Sequence, residues 1–207
     1  MPRATRRNPR KIPRQTRSKA TVDAIVEAAA RILERDGYAR ASVNRIAALA
    51  GVSVGSLYQY FPTKEAVVAA VAARLGQDML VVFGRDLAEL AFIPIEQGIQ
   101  GIVAQAMAAF RVRPKLRRVL REEAPELHPL VDVRDFDAQL ADVLVAYFEF
   151  GHAGASNRPR NTRLAVGLLM AAVEAIADTF AGDPTIDQEE LVRETAALVA
   201  RYLRAEP

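Results

Sequence analysis

The residues best equipped for chemistry in this chain lie between positions 42 and 64, and that chemistry is hydrogen bonding rather than bond making. Val54, Gly55, Ser56, Tyr58, Gln59 and Tyr60 fall on the outward side of a short segment whose Leu57 and Phe61 point inward. Small and hydrogen-bonding side chains gathered on one face can enter a groove and touch bases or phosphates. Gln59 is the best-equipped base reader, since its amide can pair bidentately with adenine. Gly55 lacks a Cβ, which lets its helix sit deeper in a groove. Arg45, outward on the preceding segment, can add a base or phosphate contact.

Two short helices must position these groups. Ser42 can cap the first, which buries Val43, Ile46, Ala47 and Ala50 at helical spacing. Gly51 stands where a tight turn needs a residue tolerant of positive φ, and Val52 can plug the corner. Ser53 can cap the second helix, and Pro62 stops it. Two short helices joined by a glycine turn form a DNA-reading helix-turn-helix.

Other chemistries find little support. The two histidines, His128 and His152, fall in predicted loops, and no His-x-x-x-His or Glu-x-x-His pair offers metal-ligand spacing. No glycine-rich phosphate loop follows a strand. Adjacent acidic pairs, Glu122-Glu123 and Glu189-Glu190, do not converge on one substrate from a helix. The run from Arg117 to Glu123 reads as a solvated face. There are no cysteines, which excludes disulfides, thiolate metal sites and thiol catalysis. A non-enzyme with neither cofactor nor metal is expected. No uninterrupted apolar run reaches the roughly 18 residues of a membrane span, and the basic N-terminus lacks the apolar stretch of a secretory signal. No membrane partner and a cytoplasmic location are the corresponding expectations.

Charge is divided along the chain. The net charge is +3, but residues 1–75 hold 14 Lys or Arg against 5 Asp or Glu (+9), while residues 76–207 hold 14 against 20 (−6). A basic first third beside a helix-turn-helix points to a polyanion partner for that end. Residues 1–19 carry eight of these cations, no acid and three prolines, and are expected to form a basic flexible arm able to follow phosphates or enter a minor groove.

The remainder reads as helices throughout, so the expected fold class is all-α. A first helix is predicted over Lys19–Asp36, with Val22, Ile25, Val26, Ala29, Ile32 and Leu33 on one face and Gly37 at its end. Helices two and three form the helix-turn-helix. A fourth, capped by Thr63, carries apolar residues from Val67 to Phe83 and is expected to continue to about Leu90. Pro94 opens a fifth, Pro114 a short sixth, and Asp132 caps a seventh that reaches Phe148. After a loop at about 151–160, an eighth runs over 161–181 and a ninth over 187–204. On the eighth, only Arg163, Gly167, Glu174 and Asp178 make a polar stripe, so the helix should be buried on more than one side, one of them against a second subunit. The ninth offers a matching seam in Leu191, Thr195, Leu198, Val199, Tyr202 and Leu203. The domain division expected is arm 1–19, helix-turn-helix 20–66, and a second domain 67–207.

The run Gly51-Val52-Ser53-Val54-Gly55-Ser56-Leu57-Tyr58-Gln59-Tyr60-Phe61-Pro62-Thr63-Lys64-Glu65 resembles the signature of the tetracycline-repressor (TetR) family of bacterial regulators, and Asp36-Gly37-Tyr38 is similar to the end of that family's first helix. The match covers roughly residues 20–70. The resemblance implies phosphate contacts for Ser42, Ser53, Tyr58 and Lys64, and base contacts for Val54, Gly55, Ser56, Gln59 and Tyr60. It also implies a homodimer through the eighth and ninth helices, a palindromic double-stranded operator, and a small-molecule effector in the second domain. Met107, Phe110, Tyr147, Phe148 and Met170 are the large adaptable side chains placed near that effector, though each is equally compatible with plain core. Few charges fall on inward faces, which favours a mainly apolar effector over a highly charged one; with the resemblance, the reading is a repressor released by that effector. Two alternatives stay open: a sequence-tolerant DNA-binding protein without a ligand, and an enzyme or carrier with a vestigial helix-turn-helix.

Overall fold

The computed structural model describes residues 14–85, 87–90, 93–123, 133–151, 161–180 and 183–203, and every regular element among them is helical. The first thirteen residues of the expected arm, His128, His152 and the expected cap Asp132 lie outside the described residues. The chain divides into two units, one ending at Val71 and the other beginning at Ala72.

In the first unit, α1 (Arg14–Asp36) packs on α2 (Val43–Ala50), and α2 on α3 (Val54–Tyr60). The helix begins five residues before the expected Lys19, so Arg14 and Arg17 belong to it. Its buried face carries Ile25, Val26, Ala29, Ile32 and Leu33, and Ile46, Ala47, Leu57, Phe61, Val67, Val68 and Val71 are among the residues buried with it. The expected caps are realised. Ser42 Oγ accepts from the Arg45 amide, Ser53 Oγ accepts from the Ser56 amide at 3.0 Å, and Thr63 Oγ1 accepts from the Ala66 amide at 3.1 Å. Gly51 has φ +69°, and its amide closes α2 onto the Ala47 and Ala48 carbonyls. An added Cβ there meets no atom, so glycine is required by the backbone alone. Gly51→Ala is therefore expected to cost roughly 1–2 kcal/mol through left-handed strain, read as a lower denaturation midpoint with an unchanged denaturant slope.

The boundary between units falls within α4 (Lys64–Phe83). By length and composition α4 is apolar enough to cross a membrane. Its Val67, Val68, Val71, Leu75, Met79 and Phe83 are instead buried within the protein, and Arg74 and Asp78 pair on its exposed side at 3.2 Å. The helix stops at Phe83 rather than Leu90: Gly84 closes it onto the Leu80 carbonyl, and a separate turn, α5 (Leu87–Leu90), follows.

The second unit adds α6 (Ile95–Phe110), α7 (Pro114–Glu122), α8 (Val133–Ala146), a π-helical turn at Tyr147–Gly151, α9 (Thr162–Phe180) and α10 (Gln188–Leu203). The extra α5 means that the eighth and ninth predicted helices are α9 and α10. The core joins Ile99, Val103 and Met107 of α6 to Leu169 and Val173 of α9 and to Ala196 and Val199 of α10. In the run 117–123, Arg118, Arg121, Glu122 and Glu123 are exposed as expected of a solvated face, but Arg117 and Val119 depart from it. Leu116 and Val119 are buried, and the Arg117 side chain is only 12% exposed, pairing with Glu174 at 3.3 Å and with Asp178 while lying 4.9 Å from the Phe110 ring centroid. The charge pattern of a surface strip here serves a cross-helix ion cluster, completed by Arg121 with the same two carboxylates.

Candidate nucleic-acid interface and ligand cavity

The helix-turn-helix presents one continuous polar face. Ser42, Arg45, Ser53, Val54, Gly55, Tyr58, Gln59 and Tyr60 are exposed, and Ser56 is half-buried because its hydroxyl lies 2.8 Å from Ser53 Oγ. Leu57 has no exposed surface and Phe61 is buried, so α3 is held by those two and turns the rest outward. Tyr58, at 51% exposure, is a large apolar ring left in solvent by the isolated chain. At Gly55 an added Cβ would meet only Ser53 Oγ at 3.9 Å, so the protein's own packing does not require glycine there.

Two of the cations on this face are held by partners that spacing did not reveal. Arg45 donates to the Arg40 carbonyl at 2.8 Å and pairs with Asp36. Lys64 is half-buried: Nζ donates to the Tyr38 carbonyl at 2.8 Å and lies 3.6 Å from the centroid of the Tyr38 ring. Asp36 and Tyr38 were legible only as a helix end, yet they orient both cations. The hydrogen bond from Arg35, followed by that from Arg45, outweighs burial and lowers the Asp36 carboxyl to about 2. A depressed carboxylate contributes stability that is complete above its unfolded value near 4 and is lost as pH falls towards about 2. Asp36→Asn should accordingly flatten the acid limb of stability between those values, measured by denaturant titration across that range, and leave the neutral-side profile parallel to wild type.

A cavity of about 430 Å³ opens within the second unit. Its wall is overwhelmingly apolar and draws on α4 (Met79, Phe83), α6, α8 and α9. Of the five side chains expected near a ligand, Phe110, Phe148 and Met170 line it. Met107 is not in the wall: it is fully buried in the core with Val103 and Val173. Tyr147 is not in the wall either. Its hydroxyl donates to the Leu90 carbonyl at 3.1 Å, its ring packs edge-on against Phe148 at 5.3 Å, and burial pushes its pKa up, which keeps it a donor. Three residues of the polar stripe of α9, Arg163, Gly167 and Glu174, belong to the wall instead. A stripe facing a cavity has the same composition as one facing water, so periodicity alone does not separate them. At the rim Arg163 pairs with Asp142 of α8 at 2.9 Å, and Glu174 is the carboxylate shared by Arg117 and Arg121.

Residues 25–71 match the family model of bacterial regulatory proteins of the tetR family, and residues 94–203 match that of the tetracyclin repressor-like C-terminal domain. An uncharacterized HTH-type transcriptional regulator of Mycobacterium tuberculosis is 27% identical over 202 residues, covering 90% of this chain and 96% of its own. Among solved structures, the fatty acid degradation regulator FadR of Bacillus halodurans superposes with a TM-score of 0.70 at 22% identity, over 86% of this chain and 94% of its own. The regulator FadR of Bacillus subtilis, solved in complex with stearoyl-CoA, gives 0.69 at 20% identity, over 86% and 96%. At such identities the structural likeness is one of fold.

Proposed function

The chain belongs to the TetR family of bacterial regulatory proteins, and from that premise we propose that it is a homodimeric repressor released from a palindromic operator by an elongated, mainly apolar effector. Its matched relatives are transcriptional regulators, and a non-catalytic role follows from the same reading. The observation that carries the proposal is the pairing of an outward Gln59 and Tyr60 on α3 with an apolar cavity in the other unit. Val54, Gly55, Ser56, Gln59 and Tyr60 approach base edges, while Ser42, Ser53, Tyr58 and Lys64 position the helix on phosphates. Arg45 adds a contact from α2. Two copies of α3 then occupy successive major grooves about 34 Å apart.

The second copy is supported by what the isolated chain leaves uncovered. Leu164 and Leu168 of α9 are 59% and 53% exposed, and Leu198 and Tyr202 of α10 are 50% and 41% exposed. Large apolar side chains grouped on two helices mark an interaction surface, and α9 and α10 of two chains can close it as a four-helix bundle.

The effector class follows from the cavity. Its α9 wall runs from Arg163 to Glu174, eleven residue steps and roughly 16 Å along the helix axis. Arg163 is the one positively charged side chain among its described lining residues, and its pair with Asp142 is exposed on both sides. Exposed pairs are weakly held, so an anionic head group can displace Asp142 while an acyl tail fills the cavity. Long-chain acyl-CoA is therefore the first class to test, as in the B. subtilis structure. One helix, α4, carries Lys64 in the first unit and Met79 and Phe83 in the cavity wall. An effector that prefers a shifted α4 lowers operator affinity, and operator lowers effector affinity by the same factor. Genome-wide capture of bound DNA should return a pseudo-palindromic promoter, and stearoyl-CoA should release the purified protein from it. Equal affinity for promoter and random DNA would overturn the repressor reading.

A further inference from the structure

Lys64 is the first residue of α4, a place that works against a lysine. The start of a helix carries partial positive charge, so a cation there is disfavoured. A lysine also holds its ammonium on a flexible four-carbon stem. Tyr38, in the corner that joins α1 to α2, answers both difficulties. Its carbonyl accepts from Lys64 Nζ at 2.8 Å, and Nζ stands 3.6 Å from the centroid of its ring. The carbonyl is itself fixed, because the Ala41 amide donates to it at 3.2 Å across the turn. Arg45 is held from the same corner in a different way: its partner Asp36 is a carboxylate, which cancels charge as it orients. A carbonyl and a ring face attract a cation without carrying net charge. Lys64 is therefore oriented and remains a full cation. Phe61, Pro62 and Thr63 are all that separate it from Tyr60 of α3.

We propose that Tyr38 is the positioning residue for the phosphate contact of Lys64: its ring and carbonyl hold the ammonium as a preset cation beside the end of α3, in the free protein and on DNA alike. The inference rests on the phosphate role proposed for Lys64 and adds the residue that makes that role effective. An ammonium has three donors. One goes to the carbonyl, a second faces the ring, and the third is directed at a phosphate oxygen. Holding the side chain before DNA arrives removes the ordering cost that a loose lysine meets on binding, a gain of about two- to tenfold in affinity for each half-site. The tyrosine hydroxyl adds little, since it lies 3.5 Å from the Glu65 carboxylate, beyond the normal range of an O–H···O bond. The ring is the working part of the side chain, and a phenylalanine can supply it.

The test titrates the full-length chain with the promoter fragment returned by genomic capture and with random duplex DNA, each over a series of salt concentrations. Tyr38→Leu should weaken both DNAs by the same factor, about two- to tenfold per half-site, because a phosphate contact carries no sequence information. The slope of log affinity against log salt should keep its wild-type value, since no charge is lost. Lys64→Ala should weaken both DNAs and lower that slope by about 0.9 for each contact removed. The double variant should bind as Lys64→Ala does, and Tyr38→Phe as wild type. Tyr38→Leu binding at wild-type strength, or an effect that adds in full to that of Lys64→Ala, overturns the role of Tyr38 and leaves the phosphate contact standing. Wild-type affinity and slope in Lys64→Ala overturn the phosphate role and this inference together. Wild-type protein that binds neither DNA overturns the DNA-binding reading as a whole. A measurement on the unaltered protein decides if Tyr38→Leu melts well below wild type. The ring current of Tyr38 should shift the Lys64 ε-methylene protons upfield both in the free protein and in the DNA complex. Their move to the ordinary lysine position on addition of DNA would mean that the ammonium leaves the ring to reach phosphate, which overturns the preset contact.

Discussion

Leu198→Asp is expected to convert the protein to a monomer. In the isolated chain Leu198 is half exposed, so a carboxylate there stays hydrated and the fold of each chain loses little. Across a two-fold interface the same residue occurs twice, and each aspartate would be buried without a partner. An uncompensated buried charge costs roughly 3 kcal/mol or more. Two of them weaken association by on the order of ten-thousandfold. Sedimentation velocity at micromolar concentration should show a wild-type dimer and a variant monomer, with the far-ultraviolet circular dichroism of both remaining helical. Operator affinity should fall with dimerisation, because a monomer reads only one half-site. A wild-type monomer at that concentration, or a variant that remains dimeric, would remove α9 and α10 as the assembly surface.

What was legible in the sequence depended on whether local pattern and tertiary environment agreed. The helix-turn-helix was legible because each of its parts has a local signal: capping serines at 42 and 53, glycine at 51, and inward apolar residues at helical spacing. The end of α4 was missed because Leu87 and Leu90 continue the apolar period past the break, and Gly84 was the available signal. The cavity was legible only in part. Phe110, Phe148 and Met170 face it, but nothing in composition separates them from Met107, which the core absorbs. Arg163 and Glu174 were legible only as part of a polar stripe, and Arg117 as part of a solvated face, because a charged residue carries no mark of the partner that covers it. The partners lie far away in sequence: Glu174 follows Arg117 by 57 residues. Arg45 was legible as an outward cation and Lys64 through the family resemblance alone, while their anchors on Asp36, Arg40 and Tyr38 required the folded chain.

Two substitutions two residues apart on α3 should fail in different ways. Leu57 has no exposed surface, so Leu57→Ala removes buried methylenes and leaves a void in a small unit, at a cost of about 2–5 kcal/mol. A loss of that size is a large part of the stability of a small domain, and DNA binding should disappear because the helix-turn-helix is no longer formed. Gln59 is exposed. Gln59→Ala should leave the melting temperature close to wild type while operator affinity falls by about 1–3 kcal/mol per bidentate contact, with relaxed preference at one base pair in each half-site. Thermal melts run beside titrations of operator and random DNA separate the two outcomes. Leu57→Ala should lose both DNAs together with its melting transition. Gln59→Ala should lose operator affinity alone, because random DNA is held through phosphates and carries no sequence for an amide to read. Operator binding at wild-type strength in Gln59→Ala would move the reading face by at least one residue along α3, onto the side that carries Val54, Ser56 or Tyr60.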